Sequence, residues 1–405
     1  MRRMLIAGGV VGAFGAVAWG AEPRPPAPDP EKPVNYIAWI NETFGGHVKN
    51  NAFDTYQAAY QLITPFEGDW GDTTDKPWTE NAAVTEWLRR NQRGLEKFKE
   101  AAAQQECFFS VGGGDGASGA GADTPLAAVL LMADPKHRDG ARGLLAEGFR
   151  ALGGGEPQKL VDNALLTIRS AHHIDTRPDT MARLRAVASS ATAYEALLTV
   201  LEASADRDAL AVELLPRLQA ADPSFNPLSR VLLVERVQAW DFICRDVAEP
   251  VAARKGMLAT VNRYYDALDE WTAQPYYVAA GRTERLDQIV KEIEGSPVAS
   301  FVDSGFVRAR QLDERLCSLR RATHLILRLH VYHKENGKFP PSLDELQGGD
   351  IGPLRIDPFS GDYFVYQKRR ASFKLHTVGV NLTDDGGQHD ERWREKDYVF
   401  WPRKD

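Results

Sequence analysis

The chain has 405 residues, with hydrophobic residues at 43%, charged residues at 26% and a formal charge of -7. That length allows two or three domains and a sizeable buried core. The mildly acidic balance argues against a nucleic-acid partner, which needs a basic face to neutralise phosphates.

The chain opens on an address. Met1-Arg2-Arg3 is a short positive region, Leu5 to Ala18 is apolar and rich in small residues, and Ala18-Trp19-Gly20 offers what a signal peptidase reads, with cleavage before Ala21. Residues 1–20 are therefore expected to be a secretory signal, with residues 5–20 kept as an N-terminal membrane anchor the alternative. The apolar run is short for a span, and Gly8, Gly9, Gly12 and Gly15 weaken it further. Arg2-Arg3 lacks the flanks of a twin-arginine signal. Residues 21–33 are rich in proline and predict an extended spacer. The expected location is outside the cytoplasm, periplasmic or extracellular.

From residue 34 to 300 the pattern predicts an irregular helical array. Tyr36, Ile37, Ile40 and Phe44 make one apolar stripe; Tyr56, Ala59, Tyr60 and Ile63 make another. Pro65 to Asp72 reads as a turn-rich loop, and Val84, Trp87, Leu88, Leu95 and Phe98 return at helical spacing. Residues 112–122 form a glycine-rich tract, in which Gly114, Gly116 and Gly119 match a dinucleotide-binding fingerprint. That fingerprint needs alternating strands and helices after it, and none follow, so a loop is expected. Helix breaks are predicted at Asp134-Pro135, Gly153 to Gly155, Arg177-Pro178, Asp222-Pro223, Asn226-Pro227 and Glu249-Pro250. Ala164 to Ile168 and Ala196 to Val200 carry nearly the same string, a hint of stacked helical hairpins.

Gln311 to Asn336 predicts an amphipathic helix with Leu312, Leu316, Leu319, Thr323 and Ile326 on its stripe, closed by Gly337. Arg315, Arg320, Arg321 and Arg328 are expected on its solvated side. His330 and His333, three apart, could share a metal, but no third ligand stands at a telling distance. His172-His173 must point to different faces. Cys107, Cys244 and Cys317 show no metal spacing; one pair could bridge in an oxidising compartment, or all three could be small buried hydrophobes. Asn41-Glu42-Thr43 and Asn381-Leu382-Thr383 fit the N-glycosylation pattern.

Beyond Gly337 come Lys338-Phe339-Pro340-Pro341-Ser342-Leu343-Asp344-Glu345-Leu346 and Asp357-Pro358-Phe359-Ser360-Gly361. Two alternating segments, Tyr363 to Tyr366 and Phe373 to Gly379, precede an acidic glycine loop and Asp397 to Trp401. The carbonyl of Val378 with Asn381, Asp384, Asp385 and Asp397 would place hard oxygens in one turn, the chemistry calcium prefers. A solvated hairpin connection is the plainer reading of the same loop.

This succession resembles the C-terminal half of the G-type major pseudopilin of type II secretion. The resemblance implies an α+β unit at 308–405, a long helix packed on a small antiparallel sheet, with a structural calcium ion in the last loop. The implied ligands are Asn381, Asp397 and a carbonyl near Val378; Asn381 stands where that family has an aspartate. The N-terminal address departs from a pilin leader, so filament assembly by that route is not expected. The whole is read as an exported, mainly α, non-enzymatic protein of interaction or envelope assembly with an unidentified protein partner in the envelope. Membrane contact is expected only if the N-terminal segment is retained. The alternatives are a type II secretion component and an extracytoplasmic hydrolase with its site among the helices.

Overall fold

The computed structural model describes residues 23–70, 81–112, 124–130, 136–222, 225–301, 305–348 and 351–403. The expected signal and the dinucleotide-like run at 114–119 lie outside those residues. The described chain is mainly helical, with one three-stranded antiparallel sheet at the C-terminus. Among the described residues no helix is long and apolar enough to cross a membrane.

The N-terminal helices are α1 (Tyr36–Ile40), α2 (Ala52–Leu62), α3 (Ala82–Arg90) and α4 (Gln92–Ala103). Asn35, Asn51 and Asn81 cap the first three by accepting otherwise orphaned backbone N–H groups. Then come α5 (Leu126–Leu130), α6 (Lys136–Gly153), α7 (Pro157–Asp175), α8 (Thr180–Ala203), α9 (Arg207–Ala221), α10 (Leu228–Arg245) and α11 (Val251–Thr272). The short α12 (Tyr276–Ala279) and α13 (Glu284–Glu292) lead to α14 (Gly305–Asn336) and one further turn, α15 (Ile351–Leu354). The predicted breaks after Gly153, at Arg177-Pro178, Asp222, Asn226-Pro227 and Glu249-Pro250 all fall between these helices. The two similar strings sit on α7 and α8, which pack side by side with α6 and α9.

Three apolar clusters organise the packing. One gathers α2, α3, α4 and parts of α6 and α7 around Tyr56, Trp87 and Phe98. A second joins α1, α5, α10, α11 and α13 and receives Phe306 from the start of α14. The third runs without interruption from α6–α9 through α14 into the sheet, where it includes Phe373, Leu375, Phe400 and Trp401.

The sheet consists of β1 (Val365–Lys368), β2 (Phe373–Thr377) and β3 (Tyr398–Trp401), in that spatial order. Lys368 pairs with Phe373 and Val365 with His376; Leu375 pairs with Trp401, and a register irregularity follows between Leu375 and His376. The sheet lies against α14 through β2 and β3. Every residue of β2 is buried, because α14 covers one face and the loop before β3 covers the other.

α14 is longer than its sequence stripe and is enclosed on two sides, by the sheet and by α8 and α9. The arginines expected on a solvated face are instead half-buried donors. Arg315 reaches the Trp393 carbonyl, Arg320 the Asp222 carboxylate and Arg321 the Ile356 carbonyl. Arg310 donates to the carbonyls of Trp271 and Gln274 and stacks on Trp271. Cys107, Cys244 and Cys317 are unpaired, and burial pushes all three thiols up. Asn41 is not a free acceptor amide, because it exchanges hydrogen bonds with the backbone of Val111 at 2.9 and 2.8 Å.

Candidate functional site

The closing loop is built from β2 outward. In a strand, residues two apart share a face, so Phe373 and Leu375 join the core while Lys374 and His376 meet the loop. The Lys374 ammonium is buried, at 7% exposure, and donates to the carbonyls of Gly387 at 2.8 Å and Gly386 at 3.3 Å. Gly387 has φ of 75°, a conformation that favours glycine, and a Cβ there would displace the Lys374 head.

His376 Nε2 lies 3.1 Å from Asp384 Oδ1 and 3.5 Å from Asp397 Oδ2. These three residues are the group of candidate metal ligands found among the described residues, with ligand atoms within 4.8 Å of one another. Asp397 is fully buried and accepts the N–H groups of Asp385 at 3.2 Å and Gly387 at 2.6 Å. Burial pushes the Asp397 carboxyl up, whereas the contact with His376 holds Asp384 down.

Of the five expected calcium ligands, the structure brings Asp384 and Asp397 together and leaves Asn381 and Asp385 as a separate pair. Asn381 Nδ2 donates to Asp385 Oδ2 at 2.8 Å and to the Glu395 carbonyl at 2.6 Å, while its Oδ1 accepts from Thr383. The Val378 N–H donates to Asp357. Calcium takes six to eight hard oxygens. Here an imidazole nitrogen stands in the cluster, an ammonium already serves two loop carbonyls, and an amide bridges two further oxygens. This donor set does not fit an all-oxygen calcium shell. One imidazole with two carboxylates is nearer to what zinc accepts.

The Asp357-Pro358-Phe359-Ser360-Gly361 stretch has a different task. Asp357 is fully buried and accepts from the Thr377 hydroxyl at 2.8 Å and from the N–H groups of Phe359 and Val378 at 3.1 Å. It fixes the turn onto the end of β2. Its carboxyl is pushed up by burial.

The histidines of α14 meet carboxylates of the helical region. His330 and His333 turn their Nδ1 atoms to the same carboxylate, Asp208, at 2.8 and 2.5 Å. His324 Nε2 meets Asp222 at 3.0 Å, and Arg320 meets the same oxygen at 2.6 Å. His172 lies 3.5 Å from Asp222 and stacks on Phe225, while His173 turns the other way to the Tyr56 hydroxyl at 3.0 Å. Burial alone would raise the Asp222 carboxyl; the His172 and His324 contacts and the Arg320 charge overcome it and hold the group far below the usual range.

Further shifted acids lie at the base of α14. Arg183 reaches Asp175 at 3.0 Å and Asp313 at 3.7 Å. Desolvation raises Asp175 to about 7 and Glu314 to about 7. Two cavities, of about 430 and 360 Å³, open elsewhere on the helical region, and none of these acids lines either of them. Sequence reading passed over Lys374, His376, Asp222 and Asp357. The signal that could have found the first two was their spacing, two residues apart on a strand followed by an acidic loop.

No family model, curated protein or solved structure matches the chain.

Proposed function

We propose that the chain is an exported, non-catalytic protein of interaction or envelope assembly, in which the C-terminal unit is a fixed end-piece of the helical array and not a filament subunit. The observation that carries this reading is the double enclosure of α14, between the sheet on one side and α8 and α9 on the other. A pilin-type helix would need its outer face free to pack against neighbouring subunits; here that face is occupied within the chain. The strongly shifted acids and the histidines serve internal ties, which favours a structural over a hydrolytic use of them. The N-terminal address supports export. In this reading the last loop is closed by Lys374, His376 and Asn381 in place of calcium.

The test is protease accessibility in spheroplasts of a bacterial host expressing the C-terminally tagged chain. The full chain should be degraded by added protease, and a variant lacking residues 2–20 should be protected. Equal protection of the two would contradict export.

A further inference from the structure

The buried arginines of this protein are almost all partnered. Arg177 pairs with Asp179, Arg183 with Asp175, Arg245 with Asp241 and Arg320 with Asp222. Arg142 and Arg185, each half-buried, and Arg138, which is exposed, depart from this pattern. Arg138 and Arg142 stand four apart on α6, one helical turn, and Arg185 is on α8; all three line the cavity of about 360 Å³. Among the described residues none of the three has a hydrogen bond or ion pair, and the Arg185 Nη1 is buried without a partner.

Two of the acids whose charges act on Arg142 and Arg185 are already committed, while Asp69 also acts on Arg142. Asp139 accepts from the Phe66 N–H at 3.1 Å and the Trp70 indole at 3.4 Å, and Asp179 takes Arg177 and the Ala182 N–H. Burial lowers both Arg142 and Arg185; the charge of Arg138 lowers Arg142 further against Asp139 and Asp69, and Arg177, then Arg138, lower Arg185 further against Asp179. A buried guanidinium nitrogen without a partner, as at Arg185 Nη1, is costly, and a bound anion would remove that cost. The rest of the wall includes the apolar Leu145, Met181 and Leu184 together with Thr167, Ser189 and Thr192.

We propose that this groove between α6 and α8 binds a small organic phosphate, with the arginines on the phosphoryl oxygens and the body of the ligand along the Leu145, Met181 and Leu184 wall. Three guanidiniums exceed what one carboxylate can neutralise, whereas a phosphomonoester carries close to two negative charges and matches the planar donor fork of arginine. The cavity lies in the size range of small-molecule sites and exceeds what inorganic phosphate would fill.

Isothermal titration of the mature chain with phenyl phosphate, inorganic phosphate and benzoate tests this. Phenyl phosphate should bind one to one, at least about tenfold tighter than either of the others, and R142Q and R185Q should each weaken it about tenfold or more. Both variants remove a repelled charge, so each should melt no lower than the parent in the absence of ligand. R185K should recover part of the lost affinity. Absence of phenyl phosphate binding at millimolar concentration, or unchanged binding in the folded R142Q and R185Q variants, would overturn the site. Tighter benzoate would overturn the ligand class, and equal inorganic phosphate would overturn the organic body.

Discussion

Lys374 shows how one residue changes the reading of a loop. A lysine alternating with Phe373 and Leu375 on a short strand looks solvent-facing in sequence, since one face of a small antiparallel sheet is commonly wet. Its burial follows from the loop that folds back over it, a non-local event that periodicity cannot report. Removing the ammonium leaves the carbonyl of the buried Gly387 without its partner, so Lys374→Met should cost about 1–3 kcal/mol in denaturant unfolding. In the parent chain, added calcium and added chelator should give the same unfolding midpoint; a calcium-dependent rise would show that an ion holds the loop. Glu314 sets a pH dependence. Its folded value of about 7 stands above its ordinary value of 4.5, so the folded chain keeps a proton that the unfolded chain has lost between those limits. Its contribution is full below about 4.5 and is lost as pH rises through 7. Urea midpoints measured from pH 4.5 to 7.5 should therefore fall less steeply for Glu314→Gln than for the parent. Parallel curves would contradict the assignment.

At the scale of elements, α14 was the most legible part of the chain and also the one most incompletely read. Its apolar stripe and its end at Gly337, which takes φ of 68° as its N–H returns to the His333 carbonyl, follow directly from residue spacing. Its other side carries arginines whose heads look solvated in sequence but lie half-buried against carbonyls and Asp222. Long side chains bury their stems while their heads find polar partners, so charge alone does not mark an exposed face. Leu325 is fully enclosed in the cluster that α14 shares with α8, α9 and the sheet. Leu325→Ala should lower stability by about 2–5 kcal/mol, read from the denaturant midpoint with the slope unchanged. A loss below about 1 kcal/mol would mean that the helix is not held between two packed layers.

For the whole molecule, the helix breaks that fall among the described residues, the mainly helical class and the small C-terminal sheet were readable because proline, glycine and apolar spacing act locally. The placement of the C-terminal unit was not, since the boundary read between residues 300 and 308 does not report what packs across it. It is crossed in space by the cluster running from α6 to Trp401 and by ties such as Tyr398 to Glu195 at 2.7 Å. Asp222 was legible only as a helix stop before proline, yet it receives contacts from α7 and α14 through His172, Arg320 and His324. The central claim is that helical array and C-terminal unit form one cooperative body, and native-state hydrogen exchange tests it most directly. If the claim holds, the slowest amides of α7, α8, α14 and β2 will share one opening free energy and shift together with denaturant. Exchange of α14 and β2 at markedly lower free energy, while α7 and α8 stay protected, would contradict it.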